Sequence, residues 1–246
     1  MPTPDQSFSP ADWVKTMDAV AFEQLYLIPG EALFDPAISS KKYTAELRRQ
    51  YPERFFYLEV FNPVGGDAHI RQVRESLNDP ACIGIKIHPV THKVPADDDS
   101  YAVIYDIAAK AGKTIMTHSW EVSDYNPEQY KSHPARFRKH LKNFCGTPFV
   151  LGHAGGRPSA FEATIKVCSD FPDIYVDLAG DYIHNGMIDA FAAAIGSGKI
   201  IFATDVDWFD PKCELAIVLG SGQSDESLAG ILHLNAERAY GNREKP

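Results

Sequence analysis

Three polar side chains follow short apolar runs of the sequence and could share one metal ion. His118 follows one such run, His153 follows the next, and Asp205 follows the last of them. Imidazole nitrogen combined with carboxylate oxygen suits zinc or another divalent transition ion, and such an ion lowers the pKa of bound water to about 7. Asp205 could ligate the ion and also take a proton from that water, whereas His153 could either ligate or polarise a substrate oxygen.

A lysine and a histidine share one face of the predicted strand that precedes His118. Strand residues alternate between two faces, so Ile83, Ile85 and Ile87 would face a helix layer and Lys86 and His88 would face the opposite side. An ammonium group is costly to bury unless it is paired or bound, and we therefore predict that both polar residues bind substrate. The alternative is structural: the lysine would pair with a carboxylate, and the histidine would be a solvated residue before a turn proline.

The segment after His153 could bind an anion. Gly155 and Gly156 indicate a close approach of the backbone, and Arg157 stands beside the exposed amides of a predicted helix start at Pro158. This arrangement would suit a carboxylate-bearing substrate, which needs local positive charge in an acidic protein. An ordinary strand-to-helix turn would give the same sequence.

Seven short apolar runs recur along the chain, with starts 25 to 35 residues apart. They are Gln24–Ile28, Phe55–Phe61, Cys82–Ile87, Thr114–Thr117, Phe149–Gly152, Ile174–Asp177 and Lys199–Ala203. Helical segments lie before, between and after them: Pro10–Val20, Tyr43–Gln50, Ala68–Leu77, Ser100–Ala111, Gln129–Asn143, Ala160–Ser169, Gly186–Ile195, Lys212–Leu219 and Asp225–Tyr240. This alternation predicts a parallel α/β sheet, whose functional site lies at the carboxyl ends of the strands.

The count of elements constrains the fold further. No linker interrupts the series, so we predict one domain over residues 1–246. A closed eight-stranded barrel opens with a strand, but this series opens with a helix and contains seven strands. The count therefore predicts either an open sheet or a barrel whose first strand is missing from the N-terminus.

Composition excludes several classes of protein. The 246 residues include 24 Lys+Arg and 33 Asp+Glu, giving a net charge of −9, and 44% are hydrophobic. Disordered chains are poorer in apolar residues, and nucleic-acid binders carry basic surfaces. No apolar run could span a bilayer and no secretory signal is evident. Four scattered cysteines fit reduced thiols, so we expect a cytoplasmic protein with a small-molecule substrate and no nucleic-acid or membrane partner.

Five motifs occur in a fixed order along the chain. They are Gly84-Ile-Lys-Ile-His-Pro89, Thr117-His118, Leu151-Gly-His-Ala-Gly-Gly156, Tyr175-Val-Asp-Leu-Ala179 and Phe202-Ala-Thr-Asp205. The series resembles the metal-dependent amidohydrolase superfamily, specifically its amidohydrolase-related (amidohydrolase 2) branch. The resemblance implies a distorted (β/α)₈ TIM barrel in which His118, His153 and Asp205 match metal ligands of the fifth, sixth and eighth strands. Lys86 would stand where binuclear relatives place a carboxylated lysine that bridges two ions.

The resemblance also suggests an activity. The family hydrolyses amides, esters and lactones, and some members decarboxylate aromatic or unsaturated acids without oxidation. We predict a metal-dependent hydrolase that acts on a small, carboxylate-bearing substrate through a metal-activated water, with zinc as the ion and manganese as the alternative. A non-oxidative decarboxylase is the alternative activity. Fold-level analogy suggests a homo-oligomer.

One feature of the family is missing from this sequence. The family's first strand supplies metal ligands from a His-x-His or Glu-x-His pair, and neither pattern occurs here. The sequence begins where the family's first helix begins. Three explanations compete: a truncated start, an inactive barrel with a binding role, or completion of the site by another chain.

Overall fold

The protein forms one parallel sheet whose strands follow the order of the sequence. The computed structural model describes residues 9–180, 184–206 and 208–241. Each strand pairs in parallel with the next, from the first to the seventh. The strands are β1 (Leu25–Leu27), β2 (Phe55–Val60), β3 (Cys82–Ile87), β4 (Thr114–Trp120), β5 (Phe149–Gly155), β6 (Ile174–Asp177) and β7 (Ile200–Ile201). The predicted α/β class and the predicted succession of strands are confirmed.

Helices precede, connect and follow the strands. They are α1 (Pro10–Ala19), α2 (Gly30–Phe34), α3 (Ser40–Tyr43), α4 (Ala45–Gln50), α5 (Gly66–Ser76), α6 (Pro89–His92), α7 (Ala102–Ala111), α8 (Arg138–Leu141), α9 (Pro158–Asp170), α10 (Met187–Ile195), α11 (Pro211–Leu219), α12 (Asp225–Ala229) and α13 (Asn235–Tyr240). Short 3₁₀ segments and one π-helical turn, Gly230–Leu234, complete the series. None of the helices in the described ranges is long and apolar enough to cross a membrane.

The prediction of one helix over Gln129–Asn143 is wrong. The segment instead contains the end of a 3₁₀ segment, Pro127–Ser132, then a second one, Pro134–Phe137, and then α8. The cause is Pro134, which has no N–H to continue a helix and forces the preceding residue out of helical geometry. His133 accordingly has φ −59° and ψ 132°.

Apolar side chains pack on both faces of the sheet. The larger cluster joins strand residues such as Ile85 and Leu151 to helix residues such as Tyr105 and Phe191. The smaller cluster lies on the other face and joins Leu58, Ile83, Val150 and Ile201 to Ala239 and Tyr240 at the end of α13. The last helix therefore packs on the inner side of the sheet, away from the strand residues that face the outer helices.

The face prediction for β3 is confirmed for two of its three isoleucines. Ile85 and Ile87 belong to the cluster that faces the helices, whereas Ile83 belongs to the inner cluster. The register between β2 and β3 shifts between Tyr57 and Leu58, next to this position. Such an irregularity breaks the alternation of faces, which explains the exception.

β1 and β7 are the two ends of the sheet in the described ranges. Phe22, just before β1, packs edge-on against Phe202, just after β7, with 5.4 Å between ring centroids. The regions flanking the two end strands are thus in contact, as expected for a TIM-barrel-like fold. The expectation of an eight-stranded barrel whose first strand is missing remains a prediction.

Candidate active site

Two predicted metal ligands lie next to each other at the carboxyl ends of adjacent strands. His118 in β4 pairs in register with Gly152 in β5, and His153 is the next residue. The centroids of the two imidazole rings are 5.0 Å apart, and the rings meet edge to face. Parallel pairing of two strands that each carry a histidine near the same end produces this contact.

Two aromatic rings stack against the ring of His118. The ring of His88 lies on one side at 4.1 Å with an interplanar angle of 7°. The Trp120 ring is parallel to it within 5°, with centroids 5.6 Å apart. Trp120 belongs to the same strand as His118, two residues further along, so strand alternation places both on one face. The stack fixes the plane of the His118 ring.

One hydrogen bond defines the protonation pattern of His118. Its Nε2 atom donates to Oε1 of Gln129 at 3.1 Å. Burial lowers the pKa of His118 well below 6.5, and the nearby His153 and Lys86 reinforce this effect. The ring is therefore neutral at pH 7, with its proton on Nε2 and its lone pair on Nδ1.

His153 has the opposite arrangement. Its Nδ1 atom donates to the carbonyl oxygen of Ala179 at 2.6 Å, which leaves Nε2 as the nitrogen that can act as a ligand. Its backbone is left-handed, with φ 63°, and Ala154 has φ 48°. Residues other than glycine adopt this conformation at a cost, and such strain clusters at functional sites.

Asp177, at the end of β6, holds this strained turn. Its Oδ1 atom accepts hydrogen bonds from the amides of His153 at 2.9 Å and Ala179 at 3.2 Å. The side chain is buried, and its Oδ2 atom has no hydrogen-bond partner in the described ranges. Burial raises the pKa of Asp177, while His153 and Lys86 oppose the rise.

Lys86 lies inside the site, as predicted for the inner face of β3. The residue is 5% exposed, and its side-chain nitrogen makes no hydrogen bond with any part of the chain that the structure describes. Burial lowers the pKa of Lys86, and the charges of Asp177 and Asp205 act against this effect. No ion pair to these carboxylates lies within 4.0 Å in the described ranges. Among the described residues, the direct ion pair of the structural alternative is therefore not present.

Asp205 is the third predicted ligand and stands on the rim after β7. Its side chain is exposed and its backbone is left-handed, with φ 50°. Its charge acts on Lys86, on Asp177 and on Glu214. Glu214, in the first turns of α11, is buried, and its pKa is raised to about 7 by burial and by the two aspartates.

The donor chemistry of the site fits a divalent metal ion, but the donors are not gathered around one point. Each histidine donates a hydrogen bond from one ring nitrogen to an oxygen atom. The other nitrogen, Nδ1 of His118 or Nε2 of His153, is left as the candidate ligand. Two neutral imidazoles and one carboxylate are ligands that zinc and manganese accept. However, no three His, Cys, Asp or Glu side chains in the described ranges are placed to hold an ion together. The three-ligand set therefore remains a prediction.

Arg157 packs against aromatic rings at the edge of the site. Its guanidinium lies over the rings of Trp120 and Tyr125, with distances to the centroids of 5.7 and 5.6 Å, and it donates to the Tyr125 hydroxyl. Gly156 makes room for this packing, because a Cβ atom there would stand 2.2 Å from the Trp120 ring. The lack of a side chain at Gly156 is thus explained by the packing of Trp120. Anion binding by Arg157 remains a prediction.

His88 presents a donor to the site. Its Nδ1 atom accepts a hydrogen bond from the Thr91 amide at 3.3 Å and so caps the short helix α6. The proton of the neutral ring is therefore on Nε2. Trp120, which follows His118 in β4, is buried, whereas Trp208, which follows Asp205, is 67% exposed.

Sequence reasoning assigned no role to Gln129, Asp177 or Glu214. Asp177 ends a strand and lies within one of the five motifs, so its position was a usable signal. Glu214 reads as an ordinary acid in the first turn of a helix. Gln129 lies in the segment that was wrongly predicted to be helical, where its side chain had no defined direction.

The sequence and the fold both match known proteins. A family profile described as Amidohydrolase matches residues 35–242. No curated protein matches the sequence significantly. Similar solved structures include a 2,6-dihydroxybenzoate decarboxylase complexed with 2,6-dihydroxybenzoate, at 15% identity and a TM-score of 0.74, covering 98% of this chain and 88% of that chain.

Two further structures share the fold. An uncharacterised TIM-barrel protein from Bordetella bronchiseptica has 18% identity and a TM-score of 0.74, with 94% of this chain and 82% of that chain covered. A dihydroxybenzoic acid decarboxylase from Polaromonas sp. with bound manganese has 16% identity and a TM-score of 0.73, with 93% and 84% covered. At these identities the similarity establishes the TIM-barrel-like fold alone. The profile match, which spans most of the chain, shows that this chain belongs to the amidohydrolase family.

Proposed function

We propose that the protein is a metal-dependent hydrolase that acts on a small, carboxylate-bearing amide, ester or lactone. The observation that carries this proposal is the pair of imidazoles of His118 and His153. Their rings are in contact, and each ring donates a hydrogen bond from one nitrogen to an oxygen acceptor outside the pair. Two lone pairs at the carboxyl ends of adjacent strands are a metal-binding arrangement, and family membership supports this interpretation.

The ion would be held by His118, His153 and Asp205, with zinc as the first choice and manganese as the alternative. When bound, such an ion supplies hydroxide at neutral pH by lowering the pKa of a bound water. Ligation is the role proposed for His153. Its Nδ1 atom donates to the Ala179 carbonyl, which leaves Nε2 as the ring nitrogen that can ligate the ion.

The remaining residues of the site would bind and orient the substrate. Lys86 is buried and its side-chain nitrogen makes no hydrogen bond within the described ranges, so its N–H groups can donate to a substrate carboxylate. His88 has its proton on Nε2 and can donate to a substrate oxygen. Asp205, exposed on the rim, can take the proton that the attacking water releases.

Non-oxidative decarboxylation is the second candidate activity. It is supported by the decarboxylases among the structurally similar proteins, including the manganese-bound enzyme from Polaromonas sp.. The same lysine would then bind the carboxylate that leaves as carbon dioxide. The two activities differ in product, because hydrolysis consumes water whereas decarboxylation releases gas.

The test is a paired assay on the full chain, loaded with zinc or with manganese. Lactones and esters of small carboxylic acids are scored for new carboxyl groups, and hydroxybenzoic acids are scored for carbon dioxide. We expect new carboxyl groups, lost in Asp205→Asn and retained in Asp225→Asn, an exposed acid in the first turn of α12. Release of carbon dioxide alone would replace the hydrolase with the decarboxylase. Absence of both products together with absence of bound metal would favour an inactive barrel with a binding role.

A further inference from the structure

The stack around His118 leaves one property of its ring undetermined. His88 and Trp120 lie parallel to the ring within 7° and 5°, which fixes its plane. Rotation by 180° about the Cβ–Cγ bond keeps that plane but exchanges each nitrogen with a carbon. Stacking therefore does not decide which nitrogen faces His153, or which one carries the proton.

A single side chain determines the orientation and the tautomer of the His118 ring. The hydrogen bond from Nε2 of His118 to Oε1 of Gln129, at 3.1 Å, is available in one ring orientation and to one tautomer. An amide oxygen accepts and does not donate, so the proton stays on Nε2 and the lone pair on Nδ1. For His153 the same decision is made by the main-chain carbonyl of Ala179, which side-chain substitution cannot remove.

Gln129 is itself held in place by the backbone around it. It lies in the 3₁₀ segment Pro127–Ser132 and is half-buried. The main-chain amide of Gln129 donates to the carbonyl of Asn126 at 3.4 Å. The same segment is tied to a neighbouring loop, because the main-chain amide of Ala96 donates to the carbonyl of Lys131 at 2.9 Å. A neutral amide suits this position, because it accepts a hydrogen bond without adding charge beside the site.

We infer that Gln129 is a positioning residue that presents the Nδ1 lone pair of His118 to the metal or substrate. The inference rests on the proposed function for its consequence, but the tautomer can be measured independently of any ligand. Hydrogen-bond partners of ligating histidines fix the tautomer and ring orientation, and their loss costs about 10- to 100-fold in metal affinity.

The first measurement uses the metal-free full chain labelled with ¹⁵N-histidine. Long-range ¹H–¹⁵N spectra, with the His118 signals identified from His118→Gln, report which nitrogen carries the proton. We expect the Nε2–H form in the wild type and in Gln129→Glu, which keeps an acceptor. In Gln129→Leu we expect a mixture or the Nδ1–H form. Glu128→Gln, on the same 3₁₀ segment but bonded to Lys131 instead of His118, is the matched control and should leave the tautomer unchanged.

The second measurement is the affinity for zinc, from competition with a chelator. We expect a loss of about 10- to 100-fold in Gln129→Leu, and wild-type affinity in Glu128→Gln. An Nδ1–H tautomer in the wild type, or an unchanged tautomer in a folded Gln129→Leu, would overturn the inference. A shifted tautomer with unchanged zinc affinity would overturn the positioning role. Failure of the wild type to bind zinc would instead count against the proposed function, since the tautomer would still be decided by the first measurement.

Discussion

The carboxylate of Asp177 holds the strained backbone of His153. Its Oδ1 atom accepts the His153 amide at 2.9 Å, at a residue whose φ is 63°. The same side chain lies buried near Lys86 and acts on its charge. One carboxylate thus holds the backbone of the candidate ligand His153 and places negative charge near Lys86.

We therefore expect Asp177→Ala to destabilise the fold by about 3 kcal/mol, since hydrogen bonds to charged groups contribute about 1.5–3 kcal/mol each. Asp177→Asn retains an oxygen acceptor for the two amides and should cost clearly less. Urea unfolding of both variants measures the difference. Equal losses in the two variants would show that the hydrogen bonds at Oδ1 do not hold the turn.

Substitution of Gly156 should damage the packing of Trp120. Gly156 has φ 69°, and an added Cβ atom would stand 2.2 Å from the Trp120 ring. Gly186→Ala is a matched control, because Gly186 has φ 79° but nothing lies within 4 Å of the added atom. Left-handed backbone costs an alanine about 1–2 kcal/mol, which both variants share.

The clash should add about 2 kcal/mol or more to the cost of Gly156→Ala, within the range for overpacked positions. Thermal unfolding gives the two losses, and near-ultraviolet circular dichroism reports the tryptophan environment. We expect the tryptophan signal to change in Gly156→Ala alone. Losses of the same size with unchanged tryptophan spectra would contradict the stacked position of Trp120.

A buried histidine outside the site should make stability depend on pH. Its Nδ1 atom accepts hydrogen bonds from the main-chain amide of His88 at 3.4 Å and from the Tyr101 hydroxyl at 2.9 Å, and burial lowers the pKa of His92 to about 3. As pH falls below 6.5, His92 is protonated in the unfolded chain but stays neutral in the folded chain. The free energy of unfolding therefore falls by about 1.4 kcal/mol per pH unit because of this residue.

His92→Gln removes this contribution. Between pH 7 and pH 4.5 we expect the variant to lose about 2 kcal/mol less stability than the wild type, measured by urea unfolding at each pH. His233→Gln is the control, since the side chain of His233 is 63% exposed. Parallel pH profiles of His92→Gln and wild type would contradict the burial of a neutral imidazole.

Glu214 should have the opposite pH dependence. Its pKa is raised to about 7, so the folded chain keeps a proton that the unfolded chain loses above its own lower pKa. Its contribution to stability is present at pH 4.5 and is lost as pH rises through 7. Glu214→Gln should therefore gain about 2 kcal/mol relative to the wild type between pH 5 and pH 8. Glu226→Gln, at an exposed position, should show no such gain. If the stability difference between Glu214→Gln and the wild type does not change with pH, the carboxyl of Glu214 is exposed to water and the prediction is wrong.

The sequence predicted those parts of the site that depend on strand alternation. Lys86 and His118 were assigned to the inner face because side chains alternate along a strand, and the structure places both there. Alternation failed for Ile83, because the register shifts between β2 and β3 next to it and such a shift is set by long-range packing. Gln129 escaped because Pro134 breaks the expected helix, and the direction of a loop side chain depends on contacts distant in sequence.

The proposed function depends most directly on metal binding by the imidazole pair. Equilibrium dialysis of the full chain against zinc or manganese, followed by elemental analysis, should give one ion per chain. Substitution of His118 or of His153 by glutamine should reduce this occupancy at least tenfold, while His233→Gln should leave it unchanged. A wild-type chain that retains no ion, or one that retains it equally well after either substitution, would contradict the assignment.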